Sequence, residues 1–510
     1  MRSTRTFLPR IATLAMCGAL AACSSADGDD IARLAFIGTG DDLTTGGVRL
    51  DPAEQHLRAA TAEGLVALNA QGEVVPALAE RWIVTDDGLS YIFRLRNSDW
   101  PDGTRLNGAN VRAALQRSLT QLENTSLGID LSIIAEIRAM TGRVVEIRLK
   151  SPMPQFLQLL AQPEVGLMRG GSGAGPMIAN VDGNSALLDV LPPERRGAPT
   201  GDDWMREFRQ IRVVNLPAQD ATDAFDAGDV DAVLNGHLLS LPLTDRGPLA
   251  RGTVQLDIVF GLFGLQVNNA EGLLADPQRR EALAMAIERA TLLEPFGIGS
   301  WAPSTRIVPQ ALPDELAGGG SGPPASGPDA VTERWAALDI EARRQQARAR
   351  ILTWSDPLDG RGRILTLALP DRVGSEIFFA ALAEDFAEVG VELQRAQPGE
   401  RADLQLVDRI ARYGDPRWFL NQFNCRLRRG GTDGLCAPEA DALVAQTLGI
   451  ANKVEQARLL LEAEEALLAA NIYIPIGAPV RWSLIRGGFE GFSDNPWGLH
   501  PLFPIAQRPI

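Results

Sequence analysis

The side chains best suited to covalent or metal chemistry in this 510-residue chain are four cysteines and three histidines. Their spacing forms no catalytic centre. His56, His237 and His500 are scattered, which leaves no H-E-x-x-H helix and no clustered metal shell. A nucleophile elbow requires G-x-S-x-G, and the nearest segment, Gly170, Gly171, Ser172 and Gly173, continues with Ala174. The glycine-rich run 166–175 matches neither phosphate-binding spacing, G-x-x-x-x-G-K-S/T or G-x-G-x-x-G. Carboxylates are plentiful, and a sugar-cleaving pair is a chemistry that sequence spacing does not exclude. Asp86 and Asp87, however, precede Gly88 between two alternating apolar runs and read as turn formers. No catalytic residue, metal ligand or cofactor is assigned.

The cysteines carry two other chemistries. Arg2, Arg5 and Arg10 precede the apolar stretch 11–22, a charged region before a hydrophobic one too short to span a bilayer comfortably, which is the form of an export signal. The stretch ends in Leu20, Ala21, Ala22 and Cys23, which resembles the bacterial lipobox, where the cysteine becomes the first mature residue and carries lipid. Residues 1–22 are then a signal peptide and 23–30 a lipidated tether, with acyl chains contributing about 0.8 kcal/mol per buried methylene. The other reading is an ordinary secreted protein. Cys17 leaves with the signal, so Cys425 and Cys436 remain, and outside the cytoplasm they are expected to pair. Two free thiols remain the alternative, and a zinc site is disfavoured because no histidine lies nearby in sequence.

Removing residues 1–22 takes three arginines and no acid, so the formal charge falls from −15 to −18. A surface of that sign repels nucleic acid. Arginine supplies almost all the positive charge, Lys150 and Lys453 being the two lysines. Beyond the signal no stretch is long and apolar enough to span a membrane.

The segments that must position any site alternate between strands and helices. Residues 65–68 and 73–75 flank a turn ending in Gly72, and Trp82, Val84, Tyr91, Phe93 and Leu95 alternate about residues 86–88, predicting two hairpins. Val111, Leu115, Leu119 and Leu122 make a helix stripe with Asn107 as N-cap. Residues 258–267 read as one apolar strand, 277–293 as a helix, and 318–327 as a Gly, Ser and Pro segment that buries nothing. Phe378, Leu382, Phe386 and Val389 form a helix stripe ended by Gly390, and Val454, Ala457, Leu461 and Leu468 a second one. Such alternation in both halves predicts two α/β lobes.

On these motifs the chain resembles the extracytoplasmic solute-binding proteins of family 5, which serve ABC importers of peptides, nickel chelates and related solutes. Leu50, Asp51, Pro52 with Glu63, Gly64, Leu65 is similar to the family's "LDP…EGL". Pro76, Ala77, Leu78, Ala79, Glu80, Arg81, Trp82 is similar to "PALAESW", and Trp100, Pro101, Asp102, Gly103, Thr104 to "WSDGT". The resemblance implies an α/β, two-lobed periplasmic-binding-protein fold (type II-like) with an extra β-rich subdomain. Lobe I would take residues 31–51, 176–262 and 476–510, the extra subdomain 52–175, and lobe II 263–475. The crossings between lobes would fall near 166–176 and 261–268.

The implied function is an extracytoplasmic lipoprotein of the periplasm or cell envelope. It would capture a small-molecule or peptide-like ligand, deliver it to ABC-transporter permease subunits, hold the membrane through its N-terminal lipid and bind no nucleic acid. A sensor or scaffold lipoprotein on the same fold is the alternative, and an exported hydrolase the weakest. In the family's peptide binders the aspartate of "ADYPDP" holds the peptide amino terminus, and here that position is Arg412. A guanidinium repels an ammonium and attracts a carboxylate or phosphate. The expected ligand therefore has an anionic end, met by Arg412 and Arg409, unless Arg412 turns to solvent or pairs with an acid such as Asp408 or Asp415. Tyr413, Trp418 and Asn268 are the further candidates for lining the cleft.

Overall fold

The computed structural model describes residues 31–44, 46–199, 201, 203–245, 252–299, 301–310, 312, 335, 338–355, 362–428 and 434–508. The signal segment, Cys23, the tether and residues 318–327 lie outside them.

Two sheets organise the chain. A seven-stranded mixed sheet places Ile31–Ile37 at its centre, parallel to Gln210–Leu216 on one side and to Ala232–His237 on the other. Val480–Ile485 and Val254–Ile258 extend it antiparallel. A five-stranded sheet runs Glu392–Arg395, Ile364–Ala368, Leu404–Ile410, Gly261–Val267, Tyr473–Gly477. Helices pack on both, as α/β layering requires. Leu57 of the Pro52–Thr61 helix is buried against Leu34 and Val213 of the larger sheet. Phe378, Leu382 and Phe386 of Ser375–Ala387 are buried with Leu365 and Leu367 of the smaller one.

The predicted hairpins form. Val66–Leu68 pairs with Val74–Pro76 across Gly72, whose φ of +78° needs a glycine. Ala79–Val84 pairs with Ser90–Leu95, and Val144–Leu149 and Ile134–Ala139 complete a four-stranded sheet. The Gly108–Leu122 helix is capped by Asn107 in a reciprocal pair with Asn110, and Val111, Leu115 and Leu122 are buried.

Four expectations need correction. Residues 258–267 are two strands in different sheets: Val254–Ile258 belongs to the larger and Gly261–Val267 to the smaller. An apolar run cannot reveal such a break, because the residues on both sides of it are apolar. The chain thus crosses at residues 259–260 and returns at 478–479. Residues 166–176 instead hold the two-stranded hairpin of Met168–Arg169 and Ser172–Gly173, ahead of strand Met177–Asp182 of the larger sheet. The third correction concerns the helix at Pro277, which stops at Ala286 rather than 293. Buried Arg289 folds back to donate to the carbonyl of Ala284 at 2.9 Å, satisfying an end that would otherwise be orphaned. The last concerns the stripe on Lys453–Ala470, which is rotated at its N-terminal end: Leu468 is buried as expected, but Val454 is 80% exposed, while Leu460, Ala463, Glu464 and Leu467 face inward. Glu464 belongs inside because the buried Arg306 guanidinium and the backbone N–H groups of Ile307 and Val308 all donate to it.

Candidate functional site

A cavity of about 900 Å³ lies between the two sheets and takes wall residues from both, as well as from the segment carrying the hairpins. Each side is built by a local device. On the larger sheet, Ala232–His237 breaks register with Val480–Ile485 between Val233 and Gly236, and Asn235 takes φ +64° there. Asn235 holds this left-handed turn by donating its side-chain N–H to the Ile37 carbonyl at 2.7 Å. A bulge of this kind re-aims the residues that follow, and His237 enters the cavity wall. Gly236 is required beside it, since a Cβ there would sit 2.0 Å from the Trp482 ring. On the smaller sheet, strand Leu404–Ile410 delivers Asp408 and Arg409 at its end.

Asp408 is clamped from the opposite sheet. Arg481 donates to it at 2.7 Å, and the Nδ1–H of His237 donates at 3.2 Å. Burial raises the Asp408 carboxyl, but Arg481 and the His237 bond outweigh burial and hold it below the ordinary carboxylate value. Burial and the neighbouring Arg481 pull His237 down to about 4, so its ring is neutral near pH 7.

Arg409, Arg412 and Trp418 line the cavity. Arg412 does not present a free charge, because its Nη2 donates to both Glu164 carboxylate oxygens, at 2.7 and 2.5 Å, and its Nη1 to the Gln55 side-chain oxygen at 2.5 Å. Its partner is neither Asp408, which Arg481 holds, nor Asp415, which caps the Pro416–Asn421 helix by accepting from the Arg417 N–H. Arg409 differs. Its guanidinium donates to the Gln422 side-chain oxygen at 3.2 Å and meets no carboxylate among the described residues. Trp418 packs edge-to-face on Phe419 with ring centroids 4.9 Å apart, giving an apolar wall.

Two candidates fall outside the cavity. Tyr413 is fully buried with its phenol beside Asp130, and burial pushes its pKa well above the ordinary value. It follows Arg412 in the chain but its ring fills the core that Arg412 turns away from. Asn268 follows strand Gly261–Val267, whose register sets Gly261 against Ile410 and Val267 against Leu404. Asn268 is not among the residues that line the cavity, and its side chain donates to the Ala402 carbonyl at 3.0 Å. Cys425 and Cys436 are joined, with Cα atoms 5.2 Å apart, and Leu427 and Arg428, just past Cys425, line the cavity.

Sequence reasoning missed Arg49, Glu164, His237 and Arg481. His237 and Arg481 stand 171 and 73 positions from Asp408, and no local pattern could join them. The described lining carries five guanidinium groups, from Arg49, Arg409, Arg412, Arg428 and Arg481, against the carboxylates of Glu164 and Asp408. Both carboxylates are already paired. The described lining is thus net positive inside a chain of formal charge −15. Among the described residues no group of His, Cys, Asp and Glu is placed to hold a metal ion, and no helix is long and apolar enough to cross a membrane.

Residues 73–183 match the family model for bacterial extracellular solute-binding proteins, family 5. The chain is 25% identical over 490 residues to a probable di/tripeptide-binding protein of Pseudomonas aeruginosa, covering 86% of this chain and 88% of that one. It is 31% identical over 319 residues to the glutathione-binding protein GsiB of Escherichia coli, covering 58% of each. In fold it is similar to an oligopeptide-binding protein of Borrelia burgdorferi, with a TM-score of 0.75 at 17% identity over 94% of this chain and all of that one. It is also similar to Haemophilus influenzae OppA in complex with the peptide RPPGFSPFR, with a TM-score of 0.73 at 15% identity over 93% and 98%. By its motifs, its two-sheet fold around a cavity and these matches, the chain is similar to the bacterial extracellular solute-binding proteins of family 5.

Proposed function

We propose that this protein is the extracytoplasmic substrate-binding lipoprotein of an ABC importer, held at the membrane through Cys23, and that it captures a peptide-like or other small solute with an anionic end. The family is one of binding proteins rather than enzymes, and relatives named for di/tripeptide and glutathione binding support a peptide-like solute. One observation carries the charge assignment: both described carboxylates of the cavity are already ion-paired, while Arg409 faces it with only a neutral partner. An ammonium entering this space finds no free acid, whereas a carboxylate finds a guanidinium able to donate two parallel hydrogen bonds. Anion binding is thus assigned first to Arg409, with Arg412 shaping the site through Glu164 and Gln55. Docking on permease subunits follows from the family role.

Calorimetric titration with N-acetyl-Ala-Ala and its C-terminal amide tests the reading. The acid is expected to bind at least about tenfold more tightly than the amide, as loss of one charge-assisted hydrogen bond implies, and Arg409→Asp is expected to abolish the difference. Equal affinity for acid and amide would sink it. The anchor has its own test: Cys23→Ala is expected to move the protein from the membrane to the soluble fraction.

A further inference from the structure

The cavity has a second uncommitted guanidinium. Arg49 lies on the segment between strand Ile31–Ile37 and helix Pro52–Thr61, lines the cavity and is exposed to it. Its position is built. Arg58 donates to the Gly47 carbonyl at 2.8 Å and Gln55 to the Leu50 carbonyl at 2.9 Å, so the residues around Arg49 are tied to the helix. Asp51 and Glu54 exchange backbone hydrogen bonds at 2.8 and 3.0 Å and fix the helix start. No carboxylate among the described residues pairs with Arg49, although Asp51 and Glu54 lie close to it in sequence. Glu54 is instead spent on the Asp51 and Thr44 N–H groups. The helix that carries this segment packs on the seven-stranded sheet, whereas Arg409 stands on the five-stranded one.

We propose that the solute carries two anionic groups, one received by Arg409 from the five-stranded sheet and the other by Arg49 from the segment feeding the Pro52–Thr61 helix. This rests on the anionic-end reading and sharpens it to a dianionic class, such as a peptide with an acidic side chain or a dicarboxylate. A solute with one anion leaves a cation in the cavity without a counter-charge. A solute with two draws both lobes onto itself, because each lobe supplies one guanidinium. Closure is then driven by differential contact with the ligand, the requirement for any ligand-linked hinge motion.

The test is a charge series titrated into the full mature protein: N-acetyl-Ala-Glu with two carboxylates, N-acetyl-Ala-Ala with one, N-acetyl-Ala-Ala amide with none, and glutarate as a simple dianion. The two-carboxylate peptide is expected to bind at least about tenfold more tightly than the one-carboxylate peptide. Arg49→Gln and Arg409→Gln should each bring that ratio close to one, with thermal melts confirming that both variants fold and Lys at either position restoring part of the ratio. Equal affinity for the one- and two-carboxylate peptides overturns the two-anion inference and leaves the single-anion reading intact. So does a ratio that survives either substitution. Equal affinity of N-acetyl-Ala-Ala and its amide removes the single-anion reading itself. Binding of neither dianionic probe also overturns the inference.

Discussion

Asp408 in the cavity wall and Asp130 at the junction of helices Ser126–Leu131 and Pro416–Asn421 both leave water on folding, and burial ends differently at each. Asp408 faces Arg481 and His237 and is held below the ordinary carboxylate value. Asp130 accepts from the Asn421 amide at 2.6 Å and lies beside the Tyr413 phenol, with Arg417 contributing least, so burial pushes it up to about 7. The same side chain is a fixed anion in one place and close to half-protonated at neutral pH in the other. Burial supplies the penalty in both, and a guanidinium at hydrogen-bonding distance decides whether it is met. The cavity spends Arg481 and Arg412 on such neutralisation, and Arg409 and Arg49 are the guanidinium groups that the proposal assigns to the ligand.

Breaking the Asp408 clamp should give the largest effect. Arg481→Met leaves a buried carboxylate beside a neutral ring, and urea unfolding should show a loss of about 3–5 kcal/mol, with Asp408→Asn in the same chain restoring much of it. A loss under about 1 kcal/mol would mean that the clamp is not what stabilises Asp408. Arg412→Gln, which strands the partly buried Glu164, is expected to cost about 1–3 kcal/mol. Arg409→Gln should leave the unfolding midpoint nearly unchanged while weakening anion binding, and the opposite ranking would reverse the roles given to these two arginines.

Smaller effects appear in the pH dependence, with opposite signs. The folded pKa of Asp130 is raised, so its contribution to stability is present below the unfolded carboxyl value and is lost as pH rises toward about 7. Relative to Asp130→Asn, the wild type should lose up to about 1.4 kcal/mol per pH unit between pH 4 and 7. His237 is the reverse case: its folded pKa is lowered from 6.5 to about 4, so its contribution is present above 6.5 and is lost as pH falls through that window. Relative to His237→Gln, the wild type should lose stability on acidification from pH 6.5 to 4, at most by the same amount per unit over a narrower span. Thermal melts across pH read both, and parallel curves for wild type and variant would refute the corresponding assignment.

Much of the fold was legible because its signals are local. Asn107 caps a helix whose apolar residues recur at its own period, and Gly72 and Gly88 end turns whose backbone needs positive φ. The errors arose where a distant partner overrode such a pattern. Glu464 turns into the core to meet Arg306, which rotates the Lys453–Ala470 stripe, and Arg289, beyond the helix that stops at Ala286, donates to the distant Pro475 carbonyl. At the site, Arg409 and Trp418 were found by their place in a family segment. Arg412 lines the cavity too, but the pairing of its charge depended on Glu164, 248 positions away.

The sequence by itself determined the α/β alternation, the cysteines available to pair and the presence of arginines at positions 409 and 412. These follow from periodicity, composition and motif, each of which acts within a few residues. Only the tertiary structure decided which charges remain for a ligand. An ion pair forms between groups brought within a few ångströms by folding, and neither His237, Arg481 nor Glu164 carries any mark in the chain of the aspartate or arginine it will meet. Free charge in the cavity is what is left after those pairings, so it is a property of the folded molecule.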